Sequence, residues 1–338
     1  MYDPAVSLEG VNVSGYIYLY SDSVVKLKNA YLEGSFYILH NNSVLILENM
    51  SFVEHLTVKV YDTATVILKD TNDNATDMDF KIYDHGKLNV ENTNMSESDI
   101  YAYDNSSIDV YNSTFDRLAF YDNSTIELHN TTIVGTAKAF DTSKFTAYNV
   151  TFQNNIYLYD DSESYFEKIL DKLHDVYVND NATLTMRNST VDDTYVGTGY
   201  SNVTILNSTI DTFRSFSCNI SNIYTSTVTK IFRAFLIYGT GVFTNGILEM
   251  SSGTFAYNVN NDSATHVNSF ANSTYFYVIS GTLTIANETT TINFLSAVDS
   301  TINLQNMSYM HLLLITESSS LSAINVTKIS TLSSFDSF

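Results

Sequence analysis

The chain repeats itself about every twenty residues, and that period restricts the fold more than any other feature. YAYDNSSIDVYNSTF from Tyr101 returns as LAFYDNSTIELHNTTI from Leu118 and as VYVNDNATLTMRNSTV from Val176. With Tyr103 as anchor, the equivalent positions are Tyr20, His40, Tyr61, Tyr83, Tyr121, Phe140, Tyr159, Asn179, Thr198 and Phe216. Nine residues after most anchors stands Asn or Asp: Asn29, Asn49, Asp70, Asn92, Asn112, Asn130, Asn149, Asn188 and Asn207. Asn287, Asn306 and Asn325 resume the register late in the chain. Steps run from about 18 to about 23 residues, within the range of solenoid repeats.

Inside each unit the apolar pattern has period two, the signature of strands. It is carried by pairs such as Val66 and Leu68, Ile108 and Val110, and Ile126 and Leu128 after the anchor. Before it stand Val58 and Val60, Phe80 and Ile82, and Leu118 and Phe120. A third short strand after the Asn carries Phe52, Phe115, Ile133, Phe152, Val191 or Ile210. Three strands per unit, each with one face inward, make a coil wound around its own core. The expectation is an all-β chain, a single-stranded parallel β-helix of about sixteen coils and on the order of 75 Å long. Coil lengths vary and no six-residue repeat is present, so a right-handed coil is expected. The pattern resembles the pectin-lyase-like right-handed β-helix proteins in architecture, over nearly the whole chain. Residues 1–338 read as one solenoid domain. Two stretches break register. The run DSESYFEKILDKLHDV places Tyr165, Phe166, Ile169, Leu170 and Leu173 at helical spacing, so 161–175 is expected to insert a short helix. Residues 232–273 are expected to form irregular coils.

Composition supports strands and turns. There are 25 Tyr and 20 Phe against 1 Pro and no Trp, with a surplus of Asn, Ser and Thr over helix formers. With 44% hydrophobic residues the chain can bury a core. The net charge of −21 argues against a phosphate-backbone partner. It allows cation binding or an acidic habitat. The lone Cys218 excludes an intrachain disulfide and reads as a packed residue. Met1 to Gly10 lacks the basic start and apolar run of a signal peptide. No apolar run reaches the roughly 18 residues of a membrane helix. A chain without a membrane span is expected, in a mature or trimmed form.

Asn-X-Ser/Thr occurs about twenty times, where composition alone predicts roughly eight. Many fall at the repeat's own turn, as at Asn112, Asn130, Asn188, Asn207, Asn306 and Asn325. Asn tolerates left-handed backbone there, and stacked amides can bond each other as a ladder. Glycan acceptors are the other reading. Off-register triplets at Asn12, Asn74, Asn105, Asn123, Asn181, Asn219, Asn261 and Asn272 are the glycosylation candidates.

If residues one and three before the anchor point inward, the anchor points out. Tyr61, Tyr83, Tyr103, Tyr121, Phe140 and Tyr159 then form an outer column, followed by Asp62, Asp84, Asp104, Asp122, Asp141 and Asp160. One reading is a glycan-binding or subunit-interface strip, with rings stacked on sugars and carboxylates accepting hydroxyls. The other is a stabilising stack. Carboxylates at coil spacing repel, and Ca²⁺, acidity or the nearby Lys59, Lys81 and Lys138 would relieve this. No cofactor is expected beyond that Ca²⁺ alternative, and no metal-ligand spacing is seen among the seven His. A polygalacturonase-like enzyme would carry Gly-His-Gly and Arg-Ile-Lys, and both are missing. The doublets Asp160-Asp161 and Asp192-Asp193 place their two acids on opposite strand faces.

These features are expected of a non-catalytic extracellular rod, a glycosylated structural or adhesive subunit of a cell-surface layer or filament. The composition resembles surface proteins of thermoacidophilic archaea and of their viruses. The alternatives are a viral tail or receptor-binding fibre that recognises host glycans, and a polysaccharide lyase or glycoside hydrolase. Expected partners are other copies or fibre subunits, with cell-surface glycans as a further possibility and no nucleic acid.

Overall fold

The computed structural model describes residues 6–33, 36–52, 55–72, 78–169, 173–199, 201–215, 219–224, 226–231, 248–249, 255–260, 263–265, 274–279, 282–286, 291–298, 301–305, 309–316 and 319–335. Among them every regular element is a strand, and every named pairing is parallel. The chain is a parallel β-solenoid. It divides into two compact units, Met1–Asp171 and Lys172–Phe338.

In the first unit nine strands stack along one face, from Val6–Glu9 to Glu163–Glu167, each parallel to the next. A second face runs from Ile17–Leu19 to Ile156–Leu158. A third is made of short pieces such as Thr114–Phe115 and Thr132–Ile133. Registers are unshifted, so equivalent residues align: Ile108 opposes Ile126 and Val110 opposes Leu128. The expected inward residues are buried. Phe80, Ile82, Ile108, Val110, Phe115, Phe120 and Leu128 are all fully enclosed. The three faces meet through edge-on rings, with Phe120–Phe145 at 4.9 Å and Phe145–Phe152 at 5.8 Å. On the second face Ala137 pairs beside Leu118 and Ala139 beside Phe120, so small side chains neighbour large ones in the buried stack.

Two kinds of corner turn the chain, and both need a residue with positive φ. Asp104 (φ 57°) follows the anchor, and Asn112 (φ 50°) ends the first-face strand. Asp and Asn visit this left-handed region more readily than other residues with a Cβ. In the first corner Ser106 N–H closes the turn on the Tyr103 carbonyl at 3.2 Å.

The second unit keeps the parallel stacking. Thr183–Arg187, Asn202–Leu206 and Asn219–Tyr224 stack in order, beside Leu173–Asp180, Thr190–Gly199, Thr209–Ser215 and Ser226–Ile231. A five-stranded and a four-stranded parallel sheet follow, ending at Ile329–Phe335 and Ser320–Ile324.

Three expectations are corrected. The parallel solenoid has about 10 turns, fewer than the about sixteen coils expected. The left-handed Asn and Asp corners that set the spacing run from Asn29 to Asn207 and are next found, among the described residues, at Asn325. Three strands per coil is seen in seven coils of the first unit. In the second, Val191 and Ile210 belong to the long strands Thr190–Gly199 and Thr209–Ser215, so the third strand has merged with the second. These stretches are rich in β-branched residues and carry no left-handed corner residue. Finally, the helical spacing from Asp161 does not make a helix. Glu163–Glu167 is a strand paired with Lys144–Tyr148, with Ser164 and Phe166 buried and Tyr165 and Glu167 facing out. Pairing satisfies the backbone edge of Lys144–Tyr148, which a helix would leave open. Residues 170–172 and most of 232–273 lie outside the described residues.

Candidate functional site

The outer aromatic column forms as one continuous stack. Tyr20, His40, Tyr61, Tyr83, Tyr103, Tyr121, Phe140 and Tyr159 follow each other with centroids 5.2, 4.9, 4.8, 4.9, 5.1, 4.9 and 5.1 Å apart. No ring departs from its neighbour's plane by more than 10°. The spacing matches that of paired strands, because unshifted register places each anchor over the last. This geometry has a chemical consequence. Both faces of every interior ring are covered by other rings, so only ring edges reach solvent. Stacking a sugar on these faces, as the strip reading requires, is closed to Tyr61, Tyr83, Tyr103, Tyr121 and Phe140. Burial and the neighbouring groups push the Tyr61 and Tyr103 phenols above their ordinary range.

The carboxylate column is solved by the backbone. Asp62, Asp84, Asp104, Asp122, Asp141 and Asp160 all have φ between 55° and 58°. In this conformation the Asp N–H meets the next coil's carboxylate. Asp62 N–H donates to Asp84 Oδ2 at 3.1 Å, and Asp84 N–H to Asp104 Oδ2 at 3.1 Å. Asp104 donates to Asp122 at 3.2 Å, Asp122 to Asp141 at 3.1 Å and Asp141 to Asp160 at 3.2 Å. The run begins with Asn41 N–H on Asp62 Oδ2 at 2.9 Å, and that bond, with lesser help from His40, holds the Asp62 carboxyl below its usual range. Lys81 instead pairs with Asp79 at 2.9 Å and lies over the Tyr101 ring, and Lys138 lies over Tyr157. The expectation that lysines neutralise the column is therefore corrected for these two.

The Asn column is an amide ladder. Asn49 Nδ2 donates to Asn29 Oδ1 at 2.7 Å, Asn112 to Asn92 at 3.3 Å, Asn130 to Asn112 at 3.1 Å and Asn149 to Asn130 at 2.6 Å. Asn207 donates to Asn188 at 2.7 Å. Of the glycosylation candidates, Asn12 is exposed at the start of Asn12–Ser14, and Asn105, Asn123 and Asn181 are exposed in the corner after the anchor. Asn123 Oδ1 accepts a bond from the Thr142 hydroxyl one coil on. Asn219 opens a strand. Asn74, Asn261, Asn272 and Cys218 lie outside the described residues.

Two outer features escaped the sequence reading. Tyr111, His129 and Tyr148 form a second stack on the first face, at 4.7 and 5.0 Å, with His129 Nε2 2.7 Å from Glu127 Oε1. Asp109 opposes Glu127 across the strand pair, and burial, then the Glu127 charge, push its carboxyl up. On the second face Arg117 grips Asp99, with Nε 3.1 Å from Oδ1 and Nη2 3.1 Å from Oδ2. Tyr101 donates its hydroxyl to the same carboxylate at 2.9 Å. The Asp99 side chain is only 3% exposed, and burial raises its carboxyl despite these partners. Gly135 is required beside this pair: a Cβ there would sit 2.3 Å from Asp116 Oδ1 and 2.7 Å from Arg117 Cγ. Each set lies one repeat apart, so the period of about twenty residues was the signal that would have found it.

Asp160 and Asp161 are both exposed at one corner, and Asp192 and Asp193 lie within Thr190–Gly199. Among the described residues no three His, Cys, Asp or Glu converge as metal ligands, and no helix is long and apolar enough to cross a membrane. Compared with protein-family models, curated proteins and solved structures, the chain matches none.

Proposed function

We propose that this chain is a non-catalytic structural rod, a glycosylated extracellular subunit of a cell-surface layer or filament. One observation carries the reading. The outer columns that would form a ligand strip are occupied by coil-to-coil cohesion, ring on ring and carboxylate on backbone N–H. In a solenoid such nearest-neighbour terms add along the stack and resist local opening. The exposed acceptor triplets at Asn105 and Asn123 support a glycosylated surface.

The reading is tested on protein from its native source, by cell fractionation, glycopeptide mass spectrometry and electron microscopy of the surface fraction. Glycosylated chain within an ordered surface assembly is the expected result. Bare, monomeric chain in the cytosolic fraction, or cleavage of a polysaccharide by the purified protein, would sink it.

A further inference from the structure

We propose that Tyr61, Tyr83, Tyr103 and Tyr121 form an oxidative cross-linking site: supplied with a peroxide and a one-electron oxidant, neighbouring rings couple to dityrosine and tie adjacent coils covalently. This goes beyond the scaffold role, because it gives the column a chemistry of its own and does not depend on where the protein resides. The four tyrosines are the stack's unbroken run of phenols, bounded by His40 and Phe140. Their three pairs have centroids 4.8, 4.9 and 5.1 Å apart and planes within 8°. Other tyrosine pairs are less suited: Tyr16–Tyr18 is 6.2 Å apart and tilted by 32°, and Tyr148–Tyr165 is 5.7 Å apart and tilted by 51°. All four tyrosines are partly exposed, so a diffusible oxidant reaches their ring edges.

The chemistry balances within the pair. Each phenol loses one electron to the oxidant and its O–H proton to water, leaving two phenoxyl radicals. Their unpaired electrons form one carbon–carbon bond between ortho carbons. The two ortho hydrogens then move to the oxygens and aromaticity returns. The two electrons and two protons reduce one peroxide to two waters. A phenoxyl radical pairs with the ring it already touches, so proximity directs the coupling to the next coil. The residues joined lie 22, 20 and 18 apart in the chain, and closing loops of this size restricts the unfolded ensemble much as a disulfide does.

The test treats the dilute, folded full-length chain with peroxidase and hydrogen peroxide, followed by dityrosine fluorescence and cross-link mass spectrometry. Linked peptides joining Tyr61 to Tyr83, Tyr83 to Tyr103 or Tyr103 to Tyr121 within single chains are expected, together with a raised unfolding midpoint. Tyr83→Phe with Tyr103→Phe keeps the ring stack and removes every adjacent tyrosine pair, so these products should vanish. The urea-unfolded chain should lose the neighbour selectivity. No linkage in the folded wild type, linkage only between chains, or products joining non-adjacent coils overturns the proposal. The wild-type measurement decides this even where a variant fails to fold.

Discussion

Asp104 offers a direct test of whether the carboxylate column is an acceptor ladder. Its backbone sits at φ 57°, and its Oδ2 takes the N–H of Asp84 at 3.1 Å. Asp104→Ala removes the acceptor and places a Cβ-bearing residue without a polar group in left-handed backbone. The backbone term costs about 1–2 kcal/mol. The lost bond adds about 1 kcal/mol, the ordinary net value rather than that of a buried charged acceptor, because the corner is wet. The expected loss is therefore about 2–3 kcal/mol. Asp104→Gly relieves the backbone and loses only the bond, about 1 kcal/mol. Asp104→Asn keeps both the acceptor and the left-handed tolerance and removes one of six stacked charges. It is expected within about 0.5 kcal/mol of wild type. Urea denaturation of the full chain gives the order, and hydrogen exchange at the Asp84 amide locates it. That amide should exchange faster in Ala and Gly but not in Asn. If Asn is as damaging as Ala, charge and not bonding geometry governs the column. If Ala is neutral, the ladder contributes nothing.

Other outcomes follow from the same geometry. Ser143 is fully buried with its hydroxyl unpartnered among the described residues, and Ala64 already fills the equivalent place about four coils earlier; Ser143→Ala should raise the unfolding midpoint, by about 1 kcal/mol in stability. Asp70 interrupts the amide ladder, accepting from Asn92 at 3.1 Å with no side-chain N–H to offer Asn49. Asp70→Asn should complete the run and stabilise by about 0.5–1 kcal/mol in urea titration. Asp62 and Asp109 should act oppositely with pH. The Asp62 carboxyl is held low, so its stabilisation is present above the unfolded carboxylate range and is lost as pH falls through its folded value. The Asp109 carboxyl is held high, so its contribution is present at low pH and is lost as pH rises through its folded value. Asp109→Asn should therefore stabilise at neutral pH and not near pH 3, while Asp62→Asn should flatten the acid limb; urea midpoints at both pH values check this. Phe145→Ala should cost about 3–5 kcal/mol by calorimetry, because Phe120, Phe152 and Phe166 all rest against that ring.

Much of the fold was legible in the chain itself. Alternation in Ser107–Tyr111 and Thr125–His129 names which residues enter the core, since a strand's side chains must alternate. The period names which residues share a column, and Asn or Asp at each corner follows from the left-handed backbone that a tight corner demands. The amide ladder through Asn112 and Asn130 was open to the same reading.

What lies between columns was not legible. Spacing alone cannot distinguish the strand Glu163–Glu167 from one helical turn, because Tyr165 and Phe166 suit either period, and pairing with Lys144–Tyr148 decided it. Nor could spacing say what the anchors face. Only the unshifted register brings Tyr83 and Tyr103 to 4.9 Å and closes their faces to a ligand. Only the φ of Asp84 aims its N–H at the Asp104 carboxylate. Sequence determined the columns through periodicity. Tertiary structure decided their use, because contact faces and hydrogen-bond directions are set by how one coil lies on the next.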